Sequence, residues 1–133
     1  TPNCFPAPQP PGDFGLAAFD AHYSMAPFFI GPDEALVITG RWPRCQFGNV
    51  CIWNRFQQTL DYRNRSVSLN RAQTVLEDDG SFRMILSHSD PGLPNWLDTE
   101  GNPFGLLFWR FFLATGDVET PQAEVVKLSA LAN

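Results

Sequence analysis

Residues 87–114, SHSDPGLPNWLDTEGNPFGLLFWRFFLA, place a polar loop directly before the most apolar run of the chain. The run at 105–114 is predicted to be the central strand, and its continuous apolar character predicts that both of its faces are covered. The loop at 90–103 is rich in Pro and Gly and carries acidic side chains. Because β-proteins commonly keep functional groups on loops held by strong strands, this loop is the first candidate for a functional region.

Working outward from this stretch, further strands are predicted at residues 34–42, 46–56, 66–69, 74–76, 82–87 and 123–128. The turn Asp78-Asp79-Gly80-Ser81 predicts a tight hairpin, because Gly supplies the positive φ that such a turn requires. Residues 13–25 are predicted to form either a helical turn or an irregular packed segment. Short strands separated by turn signals are typical of an all-β sandwich or barrel.

The composition indicates a globular chain and argues against nucleic-acid binding and against a membrane span. Aromatic residues make up 14% of the chain and charged residues only 17%, which is the opposite of a disordered sequence. The net charge of −5 argues against binding to the phosphate backbone of nucleic acids. No apolar run approaches the roughly 20 residues of a membrane span. The aromatic excess indicates a thick core or an exposed apolar surface.

The first twelve residues, TPNCFPAPQPPG, contain five prolines. They predict an extended Pro-rich arm or linker, and residues 13–133 are predicted to form a single β-sandwich domain. The Pro-rich opening without a starting Met indicates a piece of a longer protein. The odd set of three cysteines favours reduced, packed thiols, with a disulfide between Cys45 and Cys51 as the alternative.

The hairpin TVLEDDGSFRMIL, the loop PNWLDTEG and the strand GLLFWRFFLA resemble, in this order, the bacterial domain of unknown function numbered twelve-fourteen. The resemblance extends over about residues 34–128 and is carried by Asp79-Gly80-Ser81, Asn95-Trp96-Leu97 and Trp109-Arg110. It implies a jelly-roll-like antiparallel β-sandwich, usually the C-terminal part of a longer protein. The family has no established activity, so the resemblance implies a fold and no reaction. The segment Asp98-Thr99-Glu100-Gly101 departs from the Pro-rich turn of many members.

The polar loop contains the candidate metal ligands His88, Asp90, Asp98 and Glu100. Hard divalent cations prefer several oxygen ligands, which a loop can supply. Their spacing matches no EF-hand or zinc motif, and Asp90 before Pro-Gly also suits an Asx turn. No cofactor is therefore predicted. A divalent metal on this loop is the alternative, and it would support a hydrolase-like or metal-assisted enzyme with its site at 88–100.

Five residues are candidates for ligand binding: Trp96, Asn95, Arg110, Arg83 and Asn70. Trp96 either packs the loop onto the sandwich or anchors a ligand. Arg110 lies on the same face of its predicted strand as Phe108, so it faces a groove or pairs with a loop carboxylate from Asp90, Asp98 or Glu100. Exposed rings of Trp96 and Trp53 would instead indicate a carbohydrate-binding module.

No motif for nucleophilic catalysis is present: the sequence has no G-x-S-x-G elbow, and neither central cysteine has a neighbouring His. The leading hypothesis is therefore a non-enzymatic β-sandwich module that binds a protein partner or associates with itself. A small ligand is a further alternative.

Overall fold

The computed structural model describes residues 1–13, 15 and 17–132 of the chain. Within these residues, eight strands form two four-stranded sheets, which confirms the predicted jelly-roll-like β-sandwich. A short 3-10 helix, Leu128–Ala132, follows the last strand. The strands are β1 (Ala21–Phe29), β2 (Glu34–Gly40), β3 (Phe47–Asn54), β4 (Ser68–Asn70), β5 (Phe82–Ser87), β6 (Trp96–Asp98), β7 (Phe104–Phe112) and β8 (Gln122–Lys127).

The strand order is β1-β7-β3-β4 in the first sheet and β6-β5-β2-β8 in the second. The chain therefore changes sheet repeatedly as it proceeds, which wraps the two sheets around one core. All neighbouring strands are antiparallel except β5 and β6, which are parallel. The sandwich is thus antiparallel as predicted apart from this pair, where the loop after β5 carries the chain back to run beside β5 in the same direction.

Strand β7 is central in the first sheet, between β1 and β3, as predicted. Its residues alternate strictly, with Leu107, Trp109 and Phe111 buried between the sheets and the intervening side chains only half-buried. The expectation that both faces are covered is therefore wrong. The inner face is apolar because it packs in the core, whereas the outer face is apolar and remains in contact with solvent.

The Pro-rich arm packs along the edge of β1. Asn3 anchors it through hydrogen bonds in both directions with the backbone of Phe29, at 2.8 and 2.9 Å. Gln9 and Tyr23 exchange two backbone hydrogen bonds, as strands in a ladder do. Between them, Phe5 is buried and meets the ring of Trp109 edge-on at 5.9 Å. The arm thus covers a sheet edge and contributes a side chain to the core.

Two further predictions are wrong. The segment at 13–25 was predicted as a helical turn or an irregular packed segment, but its residues from Ala21 onward belong to strand β1. Phe14 and Leu16 of the same segment lie outside the described residues. The predicted strand at 74–76 is reduced to a single bridge between Leu76 and Phe82. The hairpin turn itself is confirmed, since Gly80 has a φ of 83°. Among the described residues, no helix has the length and apolar character needed to cross a membrane.

Candidate functional site

The polar loop that follows β5 is fastened to the sandwich by its own side chains. Asp90 Oδ1 accepts the backbone N–H of Gly92 at 2.8 Å, which confirms the predicted Asx turn. The ring of His88 lies between the hydroxyl of Thr99 and the carbonyl oxygen of Ile30. Because a carbonyl only accepts, Nε2 donates to Ile30 and Nδ1 faces the hydroxyl. Both ring nitrogens therefore have partners inside the protein.

The two other acidic residues of the loop are also engaged. Arg65 Nη1 donates to Asp98 Oδ2 at 2.9 Å, and Arg65 Nε lies 4.0 Å from Glu100 Oε1. Asp98 Oδ1 accepts the N–H of Glu100, and Glu100 Oε1 accepts the N–H of Asp61 at 2.7 Å. Of the two alternatives for Arg110, the one in which it pairs with a loop carboxylate is wrong. Arg65 is the arginine that contacts Asp98 and Glu100, because the segment that precedes β4 passes beside β6.

The four candidate metal ligands thus each have an internal partner. Within the part of the chain that the structure describes, no three His, Cys, Asp or Glu side chains come together as a ligand set. The geometry of the loop fits a structural role, in which carboxylates satisfy backbone N–H groups and one arginine.

Asn95 and Trp96 also serve the loop. Asn95 has a φ of 60°, and its side chain braces the loop by donating to the carbonyls of Val75 and Arg83 and accepting the N–H of Val75. Trp96 is half-buried and directs Nε1 towards the carbonyl of Ser87 at 3.4 Å. This arrangement matches the packing alternative for Trp96, in which the ring holds the loop against the sandwich.

The pair of exposed tryptophan rings that the carbohydrate-binding alternative requires is not formed. Trp96 lies in the second sheet, whereas Trp53 lies in β3 of the first. Trp53 instead stacks on Phe108, with ring centroids 4.7 Å apart and an interplanar angle of 13°. A sugar platform requires two rings side by side, and these tryptophans are on different sheets.

The two ligand-binding candidates not yet described, Asn70 and Arg83, lie on different sheets. Asn70 ends β4 and closes a turn, where its Oδ1 accepts the N–H of Gln73 at 2.9 Å. Arg83 lies on the outer side of β5, at a cavity of about 270 Å³ that Leu93 also lines. The five candidate ligand residues therefore fall into two groups, with Trp96, Asn95 and Arg83 on the second sheet and Arg110 and Asn70 on the first, and they do not form one site.

The outer side of the first sheet, which the sequence did not point to, is a second candidate for a functional surface. The outer side of the first sheet is covered by aromatic and other apolar side chains from three adjacent strands. We call this surface the aromatic face; its members are Tyr23, Met25 and Phe29 from β1, Phe47 and Trp53 from β3, and Phe104, Leu106, Phe108 and Phe112 from β7, together with Arg110.

Arg110 is at the middle of the aromatic face. Its guanidinium carbon lies 5.5 Å from the ring centroid of Phe108 and 5.8 Å from that of Tyr23, within cation–π range. Across the strands, Arg110 is paired in register with Tyr23 on β1 and Asn49 on β3, and Asn49 is paired with Asn70 on β4. These four residues form a polar row that crosses the aromatic face.

A groove opens beside this row, between the Pro-rich arm and the first sheet. It has a volume of about 620 Å³, within the range of ordinary ligand pockets. Residues 6–10 of the arm form one wall, and Tyr23, Met25 and Phe108 line the other side.

The cysteines are free thiols, so the Cys45–Cys51 disulfide is not formed. Cys45 lies near the inward-facing Gly48, while Cys51 points outwards and contacts the carbonyl of Phe108. The two thiols are thus on opposite sides of the first sheet. Burial raises the pKa of both thiols, although Arg71 beside Cys45 and Arg110 near Cys51 partly oppose this increase.

Sequence reasoning located Arg110 on the correct strand face but did not associate Tyr23 or Asn49 with it. Asn49 was accessible in principle, because it alternates with Cys51 and Trp53 along a predicted strand. Tyr23 was not, because β1 was not predicted.

Comparison with known proteins supports the fold. No model of a known protein family matches this chain, and no curated protein matches it. A solved structure of an uncharacterized protein from Burkholderia cenocepacia matches 92% of this chain with 33% identity and a TM-score of 0.83. A protein from Vibrio parahaemolyticus matches 87% of it with 22% identity and a TM-score of 0.68.

This chain spans only about a third of the length of those two proteins, 36% and 33% respectively. The matches therefore show a shared β-sandwich within longer polypeptides. The resemblance to the twelve-fourteen domain stays a prediction.

Proposed function

We propose that this chain is a non-enzymatic β-sandwich module that binds a protein partner through the aromatic face. The observation that carries the proposal is the exposure of this surface. Phe29 is 61% exposed and Phe104 39% exposed, and they lie opposite each other on neighbouring strands. Exposed apolar patches of this kind mark interaction sites in soluble proteins.

The composition of the aromatic face supports a protein partner. Tyr, Trp, Phe, Met and Arg are the residue types that are enriched in protein–protein interfaces, and Tyr, Trp and Arg dominate their binding energy. The face contains all five types, with Arg110 surrounded by rings. It also extends over three strands of a sheet, which suits a broad contact better than a small enclosed ligand.

The comparisons with the two longer proteins also support a protein partner. In the Burkholderia and Vibrio proteins, the matching sandwich is one part of a polypeptide about three times as long. A domain in such a protein usually packs against its neighbours through one surface. The proposal includes both a neighbouring domain and another subunit as partners, because both present a protein surface to the same face.

The loop at 88–100 supports a structural rather than a chemical role. Its imidazole and carboxylates are already hydrogen-bonded within the protein. An enzyme that uses these groups would first have to release them from those partners. The loop is therefore assigned to holding β6 in place, at the opposite sheet from the aromatic face.

The proposal can be tested with anilinonaphthalene sulfonate, a dye that fluoresces on exposed apolar surfaces. The native chain should bind the dye, and a variant with Phe29→Ser and Phe104→Ser should bind much less. The matched control is Phe56→Ser, because Phe56 is 70% exposed but lies in the turn after β3. Equal dye binding by all three folded proteins would contradict the proposal.

A further inference from the structure

We infer that the protein partner presents a carboxylate to Arg110, next to a bulky apolar side chain that enters the groove beside the Pro-rich arm. The inference rests on the proposed function, and it specifies the chemistry of the partner. It follows from the state of Arg110 and from the shape of the groove.

Arg110 is half-buried among aromatic rings, unlike the arginines that have polar partners within the chain. Arg65 pairs with Asp98, Arg71 donates to the carbonyl of Cys45 at 2.8 Å, and both of these side chains are exposed. Among the described residues, Arg110 has no carboxylate within ion-pair distance. Its contacts are the two ring faces of Tyr23 and Phe108, which hold the guanidinium in place and leave its N–H groups for another acceptor.

Covering the aromatic face would bury the charge of Arg110, and this burial costs free energy unless a counterion is present. In the free chain, water solvates the N–H groups of Arg110. A partner that packs on the surrounding rings removes that water, and a buried charge without a counterion is strongly unfavourable. A partner therefore needs an anionic group at this point of the interface. A carboxylate fits best, because the planar guanidinium can donate two parallel hydrogen bonds to it.

Asn49 lies at the same place but does not balance the charge of Arg110. It is paired in register with Arg110, so the two polar groups lie side by side on adjacent strands. Its Oδ1 is enclosed and has no hydrogen-bond partner in the structure, so the amide oxygen does not accept from the guanidinium. An amide oxygen is also neutral, so the guanidinium still calls for the carboxylate of an acidic residue.

The groove accounts for the neighbouring apolar side chain. Tyr23 and Phe108, the two rings under the guanidinium, also line the groove, together with Met25 and the prolines of the arm. A side chain next to the acidic residue would enter this space and exchange water for contact with rings and prolines. The complete signature is therefore an acidic residue adjacent to a large apolar residue.

The test uses two blocked tripeptides, acetyl-Phe-Glu-Phe-amide and acetyl-Phe-Gln-Phe-amide, titrated into the isotopically labelled chain and followed by NMR. The Glu peptide should shift the Arg110 side-chain signal and the Asn49 amide. It should bind about tenfold more tightly than the Gln peptide, as one charge-assisted pair at a partly exposed site predicts. Arg110→Gln should remove that preference, and the control Arg83→Gln on the other sheet should keep it.

Each outcome decides between the claims. Equal binding of the two peptides at the aromatic face would overturn the carboxylate inference and leave the proposed function standing. Failure of both peptides to perturb Arg110 would also overturn it. If sodium acetate alone shifts the same signals with the affinity of the Glu peptide, the site takes a free carboxylate, and a protein partner is contradicted. Loss of dye binding in the Phe29→Ser, Phe104→Ser variant reports separately on the proposed function.

Discussion

Replacing Arg65 by Met should weaken the attachment of the polar loop to the sandwich. The side chain of Asp98 is 5% exposed and that of Arg65 is 50% exposed, so the carboxylate is buried and the guanidinium lies at its solvent side. Met retains much of the apolar stem of Arg and removes the charge. The substitution thus isolates the ion pair from the packing that the stem contributes.

The expected loss follows from this half-buried geometry. A hydrogen bond to a charged group contributes about 1.5–3 kcal/mol, whereas breaking a fully buried ion pair costs about 3–5 kcal/mol. Water reaches the exposed half of Arg65 and screens the pair, and Asp98 keeps its hydrogen bond from the N–H of Glu100. We therefore expect Arg65→Met to lower the free energy of unfolding by about 2 kcal/mol.

The assay is a double-mutant cycle by urea denaturation with Arg65→Met, Asp98→Asn and the double variant. We expect a coupling free energy of about 1 kcal/mol or more. The matched control is the cycle of Arg41→Met and Asp79→Asn, which involves the same residue types at 3.2 Å with both side chains exposed. That pair should show no measurable coupling. A coupling between Arg65 and Asp98 no larger than in the control would refute the reasoning.

Gly105→Ala would place a Cβ 2.5 Å from a backbone oxygen of β3 and should cost about 3 kcal/mol or more, whereas Gly92→Ala meets no atom within 4 Å and should cost only about 1 kcal/mol for its positive φ. Similar losses in urea denaturation would contradict this. Iodoacetamide at mild alkaline pH should modify the exposed Cys4 quickly and the two packed thiols, whose pKa is raised by burial, slowly; mass spectrometry showing three equal rates would contradict the burial described. The side-chain hydrogen bond from Asn64 lowers the pKa of Asp61, so its stabilisation is present above the unfolded pKa and is lost as pH falls through the folded pKa. Stability in urea should therefore fall more steeply with acid in the native chain than in Asp61→Asn, and parallel curves would exclude this contribution.

The fold was predictable where apolar residues alternate with polar ones or form a long run. The run that became β7 and the turn at Gly80 are examples, since each has a single local explanation. Strand β1 was not predictable in this way. Its inner residues include the small Ser24 and Ala26, while its outer residues include the large Tyr23 and Met25. Alternation of polarity disappears when the outer face is itself apolar.

The candidate site was predictable only in part, for a related reason. The strand face of Arg110 could be read from the alternation of β7, but its partner could not. Arg65 pairs with Asp98 from 33 positions away, and only the tertiary fold decides which arginine reaches that carboxylate. Likewise, Tyr23 approaches Arg110 because β1 and β7 are adjacent. Such pairings have no local signal in the sequence.

The most direct test of the partner-binding role is sedimentation velocity of the isolated chain across a concentration series, with metal analysis of the same sample. Because the aromatic face is uncovered in the isolated chain, we expect association that increases with concentration and disappears in the Phe29→Ser, Phe104→Ser variant. A native chain that stays monomeric at every concentration, and that carries about one metal ion per chain, would contradict the account. That result would favour the alternative of a metal site on the loop at 88–100.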